Sequence, residues 1–142
     1  MPLPAPEPGL VVSYAYLWRW QIDRGDDAGD KARPVVVVLV SGSTPDVMVV
    51  PVTTRPVAAG RDTIDVPTKV AAHQGLDTSR TSRIVTDEAN MFHWPNDLQP
   101  VPGQSPGVFH YGFIPPTLFR AIRDAVLRNQ QHGNLASVKR RG

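Results

Sequence analysis

Two nearly unbroken apolar runs, residues 34–40 and 47–53, dominate the hydrophobic pattern of this chain. A polar segment with Gly42 and Pro45 separates them, so the pattern predicts two consecutive strands of an antiparallel hairpin. Neither run alternates apolar with polar side chains, which indicates strands that are covered on both faces. The pattern therefore predicts either a small, tightly curled sheet or strands at a dimer interface.

Shorter elements are predicted around this hairpin. Aromatic and β-branched residues over 10–18 indicate a first strand, and the polar, glycine-containing stretch 19–32 indicates a loop. Residues 115–129 open with two prolines and carry apolar side chains at helical spacing, which predicts a C-terminal helix. The remaining predictions are brief strands over 63–66, 81–87 and 90–94, a helical turn or two over 67–74, and a loop over 95–107.

These elements predict a mainly β fold with some α structure. Several short strands and one terminal helix, without alternation of strands and helices, favour a small β-barrel or half-barrel with the C-terminal helix packed on it. A chain of 142 residues has the size of one domain. We predict a flexible N-terminal tail over 1–8, a single domain over 9–131, and a basic, disordered C-terminal tail over 132–142.

The composition excludes several classes of protein. Hydrophobic residues make up 41% of the chain and charged residues 20%, which fits neither a disordered nor a membrane protein. No apolar run approaches the roughly 20 residues that span a bilayer, and the Pro-rich start lacks the Lys or Arg of a signal peptide. The chain has no cysteine, which excludes disulfides and thiolate metal sites and fits the cytoplasm. Its formal charge of +2 is a mild hint of an anionic partner.

One arginine opens the first apolar strand, and one threonine closes the second. In an antiparallel hairpin the start of one strand lies beside the end of the other, so Arg33 and Thr53 are predicted at the same edge of the sheet. A guanidinium can hold a phosphate through two N–H groups, and a hydroxyl can donate a further hydrogen bond. The pair therefore favours a phosphate ligand. The alternatives are an exposed arginine at a strand start and an ordinary β-branched strand residue.

Several segments from Gly9 to Val126, taken in order along the chain, resemble the MazF/PemK-like ribonuclease toxins of type II toxin–antitoxin pairs. Gly9-Leu10-Val11-Val12 resembles the glycine-led first strand of that family, Arg33-Pro34 its Arg-Pro strand start, and Val50-Pro51-Val52-Thr53 its Pro-x-Thr strand end. The resemblance spans roughly residues 9–127, and the segment 94–113 is longer than a compact member needs. Weaker matching pieces are Gly75-Leu76, Ser82, Asp87-Glu88, Gly112-Phe113-Ile114, Leu118, Ile122 and Val126.

The resemblance implies an SH3-like barrel that works as a cytoplasmic homodimer without a cofactor or metal. It also implies sequence-specific cleavage of single-stranded RNA to a cyclic phosphate and a 5′-hydroxyl, and a cognate antitoxin as protein partner. Arg33 would stabilise the charge on the non-bridging phosphate oxygens, and Thr53 would orient the phosphate. The alternatives are a non-catalytic, CcdB-like gyrase-binding toxin and a degenerate family member that only binds nucleic acid.

Residues near this edge are candidates for RNA contact. Trp18 and Trp20 stand where the first strand meets the loop, and their rings could stack bases, although core or dimer packing is the more common use of such residues. Asp27, Asp30 or Glu88 could assist proton transfer, and the arginines could contact phosphates, with ordinary surface charge as the alternative. The RNA-binding candidates are Trp18, Trp20, Asp30, Lys31, Thr54, Arg55, Arg80, Arg83 and Glu88.

The histidines and acidic residues give no sign of a metal site. The four histidines fall in different segments without ligand spacing, and surface or loop positions are the simpler interpretation. The acidic residues over 23–30 lack the spacing of a calcium loop. The histidines are His73, His93, His110 and His132.

Overall fold

The computed structural model describes residues 5–26 and 31–140. Within them, eight strands form one sheet and three helices accompany it. None of these helices is both long enough and apolar enough to cross a membrane. The strands are β1 Leu10–Tyr14, β2 Arg33–Val40, β3 Asp46–Thr53, β4 Thr63–Asp65, β5 Arg83–Val85, β6 Glu88–His93, β7 His110–Phe113 and β8 Ala136–Lys139. The helices are α1 Arg19–Asp23, α2 Thr68–His73 and α3 Pro116–Gln131.

The predicted hairpin, β2 paired antiparallel with β3, forms the centre of the sheet. On one side, β1 pairs with β2 and β7 pairs with β1. On the other side, the first half of β3 pairs with β6 and its end pairs with β5, which in turn pairs with β4. The mainly β fold with a C-terminal helix is therefore confirmed. The described sheet is not a closed barrel, because β4 and β7 end the strand path without pairing to each other.

Residues of β2 alternate between two apolar cores. Val36 packs in one core with Val50 and with Ile122 of α3, whereas Val37 packs in the other with Tyr14. Each of these side chains is fully buried. The prediction that both faces of the apolar strands are covered is confirmed, and a single chain supplies both layers. Double coverage therefore needs no dimer to explain it, and the homodimer stays a prediction.

The C-terminal helix α3 agrees with its predicted bounds to within two residues at its end. Pro116 occupies the first turn, where its fixed φ suits a helix and its missing N–H has no helical partner to lose. Ile122 and Val126, one turn apart, face the sheet and are buried. Gly133 then takes a φ of 71°, and Asn134 donates its N–H to the Asn129 carbonyl at 2.7 Å, which ends the helix.

The segment predicted as a loop over 19–32 begins with a short helix. The first strand ends at Tyr14 rather than at residue 18, and α1 covers Arg19–Asp23. The Gln21 side chain accepts the Trp18 N–H at 2.9 Å, which satisfies a backbone donor at the helix start. A five-residue helix carries too little periodicity to be recognised in the sequence.

The predicted disorder of the C-terminal tail is wrong for Ala136–Lys139, which form β8. This strand pairs in parallel with β6, with Asn90 opposite Val138. The Arg140 guanidinium then donates to the Tyr14 hydroxyl at 3.1 Å and to the Ala15 carbonyl at 2.8 Å. The pairing that makes this segment a strand comes from β6, some 50 positions earlier in the chain, and no local pattern records it.

We expect Arg140→Ala to release β8 from the sheet. Its side chain is only 7% exposed, so truncation removes hydrogen bonds to Tyr14 and Ala15 that water does not readily replace. The cost should be about 1–2 kcal/mol, with faster amide hydrogen exchange at residues 136–139. Lys139→Ala, at the exposed neighbouring position, should leave these rates unchanged. Equal exchange rates in both variants would show that Arg140 does not anchor the strand.

Candidate functional site

The hairpin brings Arg33 and Thr53 to one edge of the sheet, as its pattern predicts. Arg33 is the first residue of β2 and Thr53 the last of β3, and the register pairs Val35 with Pro51 just inside them. Arg33 and Thr53 are each two positions from these partners, so strand alternation places both on the same face. Thr54, predicted on the opposite face, follows the end of β3 and lies in the same cavity lining as Arg33 and Thr53.

A cavity of about 340 Å³ opens at this edge, and we call it the Arg33–Thr53 cavity. Its walls come from the two strand ends, from the loop after α2, and from the 94–113 segment. Several of its lining residues carry a hydroxyl, and two carry a positive charge. The lining residues are Lys31, Ala32, Arg33, Pro34, Val52, Thr53, Thr54, Gly75, Leu76, Asp77, Ser82, Pro102 and Tyr111.

The Arg33 guanidinium lies over an indole ring. Its central carbon is 5.3 Å from the centroid of the Trp18 ring, within the range of a cation–π contact. Trp18 is 7% exposed and packs edge-on against Tyr16, at 5.2 Å between ring centroids. The predicted base-stacking residue Trp18 is thus a buried neighbour of Arg33.

Thr53 is buried at the base of this edge, with 4% of its surface exposed. Its hydroxyl oxygen accepts the backbone N–H of Arg55 at 3.1 Å, which fixes the start of the following loop. A hydroxyl that accepts one hydrogen bond can still donate its own hydrogen. The residue therefore combines a fixed position with a donor that a phosphate oxygen could use.

Three other candidates lie close to the strand ends. Lys31 and Thr54 line the cavity itself. Arg83 stands opposite Thr53 in the pairing of β5 with β3, and it forms an ion pair with Asp65 at 3.4 Å. The cavity lining therefore carries two cations, Lys31 and Arg33, and one carboxylate, Asp77, whereas the charge of Arg83 is paired with Asp65.

Other candidates lie apart from the cavity. Arg55 is exposed at the start of the loop after β3, and Arg80 lines a separate cavity of about 140 Å³. Trp20 is 50% exposed and carries Arg24 over its ring at 4.8 Å. Asp27 and Asp30 lie outside the described residues, so the structure places neither of them.

Glu88 is the clearest case of a candidate that lies away from the cavity. It is 1% exposed, and its carboxylate accepts hydrogen bonds from the Tyr16 hydroxyl, the Arg19 backbone N–H and the Arg61 guanidinium at 2.9–3.1 Å. Burial, and then the nearby Glu88 carboxylate, raise the pKa of Tyr16 well above its ordinary value. This buried network fits a structural role for Glu88.

Three residues that were not predicted reach the cavity only through the tertiary fold. Tyr111 and Pro102 reach it from the 94–113 segment, and Asp77 reaches it from the loop after α2. Burial raises the pKa of Tyr111, and hydrogen bonds from Ser79 lower the pKa of Asp77, so both keep their usual charge at neutral pH. No local spacing links these positions to Arg33, so the sequence carried no signal for them.

The histidines lie elsewhere. His93 contacts Asp46 at 3.3 Å on the surface, and His73 and His132 are exposed. His110 is half-buried on β7, and its Nδ1 has no partner among the described residues. Within residues 5–26 and 31–140, no three His, Cys, Asp or Glu side chains are grouped to hold a metal ion.

Comparison with protein-family models, with curated proteins and with solved structures gave no match to this chain.

Proposed function

We propose that this protein is a metal-independent endoribonuclease that cleaves single-stranded RNA in the Arg33–Thr53 cavity. The observation that carries the proposal is a guanidinium and a hydroxyl on one face of one sheet edge, beside an open cavity of about 340 Å³. That volume lies at the small end of ligand pockets and suits one nucleotide unit of a longer strand. The resemblance to MazF/PemK-like toxins supports the same chemistry.

The proposed reaction is an internal transfer at phosphorus. The ribose 2′-oxygen attacks the adjacent phosphorus as its proton leaves, and the bond from phosphorus to the 5′-oxygen breaks. The departing 5′-oxygen takes up one proton as the 2′-hydroxyl loses one, so the products are a 2′,3′-cyclic phosphate and a 5′-hydroxyl, and no water is consumed in this step. Arg33 stabilises the negative charge that gathers on the non-bridging oxygens, and Thr53 orients the phosphate by donating its hydroxyl hydrogen.

The proton from the 2′-hydroxyl requires a base other than Arg33. A guanidinium stays protonated at neutral pH and cannot accept a proton. Glu88 is a poor candidate, because Tyr16, Arg19 and Arg61 already occupy its buried carboxylate. Asp27 and Asp30 stay candidates.

The proposal also covers the fold type, the oligomeric state and the protein partner. We propose that the open sheet with α3 on one face is a variant of the SH3-like barrel of MazF/CcdB-type toxins. The protein would act in the cytoplasm as a homodimeric toxin. A flexible, acidic segment of a cognate antitoxin would occupy the basic edge around Arg33 and Lys31.

The decisive experiment is incubation of the purified protein with a long single-stranded RNA in EDTA, followed by mapping of the new 5′ ends. We expect discrete cuts with 5′-hydroxyl termini and cyclic phosphates on the upstream fragments. Complete loss of cleavage in EDTA would instead indicate a metal-dependent enzyme. Intact RNA that is nevertheless retained by the protein would indicate a nucleic-acid-binding member, and intact, unbound RNA would favour the gyrase-binding alternative.

A further inference from the structure

Trp18 precedes α1, and hydrogen bonds hold the backbone at this position. Its backbone N–H donates to the Gln21 side chain at 2.9 Å. The preceding residue, Leu17, exchanges two hydrogen bonds of 2.9 Å with the buried Asn90 side chain of β6, one through its N–H and one through its carbonyl. The backbone is therefore bonded to β6 at Leu17 and to α1 at Trp18.

The indole ring of Trp18 is also packed against a second aromatic ring, that of Tyr16. Tyr16 packs against the indole in an edge-on arrangement, with 73° between the ring planes, and the Tyr16 hydroxyl donates to Glu88 at 3.1 Å. Glu88 is held in turn by Arg61 at 2.9 Å. Trp18 is thus connected through Tyr16 to the hydrogen-bonded pair of Glu88 and Arg61.

Arg33 lies over this supported ring at 5.3 Å. A long arginine side chain has many rotamers, and a cation–π contact with a fixed, buried indole favours the subset that keeps the guanidinium at the sheet edge. Catalytic groups are most effective when packing holds them in place before the substrate binds. With 7% of its surface exposed, Trp18 has little area left for stacking a base.

We propose that Trp18 is a positioning residue for Arg33 and does not bind RNA bases. The inference rests on the proposed function, since it assigns Trp18 a role in the RNA cleavage that Arg33 would carry out. The exposed pair Trp20 and Arg24 makes a similar contact at 4.8 Å, but its ring is half in solvent. Among the described cation–π contacts, only that of Trp18 combines a buried ring with an arginine that lines the Arg33–Thr53 cavity.

The kinetic test uses W18L and W18F with a single-stranded oligonucleotide that spans a mapped cut. We expect W18L to lower kcat by roughly 10- to 100-fold with KM nearly unchanged, because the guanidinium loses the aromatic face that favours its catalytic orientation. W18F keeps an aromatic face and should restore most of kcat. W94L is the matched control, since Trp94 is a partly buried indole stacked on Phe92 away from the cavity, and its kcat should equal that of the wild type. Should W18L fail to fold, W18M tests the same point because it fills space without an aromatic face.

A second measurement is independent of RNA cleavage. The Arg33 Nε–Hε signal in the NMR spectrum, assigned by its loss in R33K, should be shifted upfield by the indole ring current. That shift should vanish in W18L and persist in reduced form in W18F.

The outcomes separate the two proposals. A raised KM with normal kcat in W18L would overturn positioning in favour of base contact, as would an unshifted Arg33 signal in the wild-type protein. If the wild-type protein cleaves no RNA, the proposed function fails, and the NMR shift still decides whether Trp18 positions Arg33.

Discussion

Arg33→Ala should reduce the RNA cleavage rate by about 100- to 1,000-fold while the protein stays folded. The guanidinium is the strongest charge-stabilising group we assign to the cavity, and alanine leaves the developing negative charge on the phosphate without its main partner. Arg33 is half-buried at a strand start, so its removal should cost little stability. Single-turnover cleavage of an end-labelled oligonucleotide measures the rate, and thermal unfolding checks the fold.

Two further variants test whether the effect is specific to the guanidinium of Arg33. Arg33→Lys keeps the charge but loses the two-pronged guanidinium, so we expect a rate between those of the wild type and the alanine variant. Arg120→Ala removes an exposed arginine from α3 and should cleave at the wild-type rate. If folded Arg33→Ala cleaves as fast as Arg120→Ala, Arg33 is not catalytic.

Arg61→Ala should destabilise the fold by about 3 kcal/mol. The Arg61 guanidinium binds Asp87 at 2.7 Å and Glu88 at 2.9 Å, and those two side chains are 14% and 2% exposed. Removing the arginine leaves two carboxylates in a poorly solvated site without their cation. The effect lies at the low end for a broken buried pair because about a third of Arg61 is open to water. Urea unfolding, with the midpoint and slope fitted together, measures the change.

The matched comparison is Arg123→Ala, which breaks the exposed pair of Arg123 with Asp124 on α3. We expect its unfolding free energy to stay within about 0.5 kcal/mol of the wild type. The double variant with Arg61→Met and Glu88→Gln should regain part of the lost stability, because it also removes one of the buried charges. Equal stabilities of Arg61→Ala and Arg123→Ala would mean that water solvates the Asp87 and Glu88 carboxylates as well as the Arg61 guanidinium stabilises them.

The hairpin and the terminal helix were predictable because their signals are local and long. Two apolar runs around a turn predict β2 and β3, and a proline-led amphipathic pattern predicts α3. The short strands β4 and β5 lie within the predicted strands 63–66 and 81–87, whereas the four-residue strands β7 and β8 were not predicted and are defined by their partners in the sheet. The existence of β7 and β8 therefore depends on tertiary contacts that no local pattern contains.

The candidate site was likewise predictable only in part. Antiparallel pairing was enough to predict that Arg33 and Thr53 share an edge. Side-chain environment was not predictable: Trp18 and Glu88 were expected at an RNA surface, but the fold buries both. Trp20, only two positions from Trp18, is half exposed because α1 turns it outward. Burial of an aromatic or a carboxylate depends on what packs over it, which spacing along the chain does not reveal.

The place of β2 and β3 within the sheet also affects the solubility of the protein. Their valine-rich, uncharged sequences have the composition of segments that assemble into cross-β aggregates when exposed. In the described fold both strands have hydrogen-bonded neighbours on each side, and the strands left at the edges are only three or four residues long. Peeling away β1 or β6, without global unfolding, would uncover an apolar edge that another chain could extend. Changes that loosen those two strands should therefore reduce the yield of soluble protein before they lower the melting temperature.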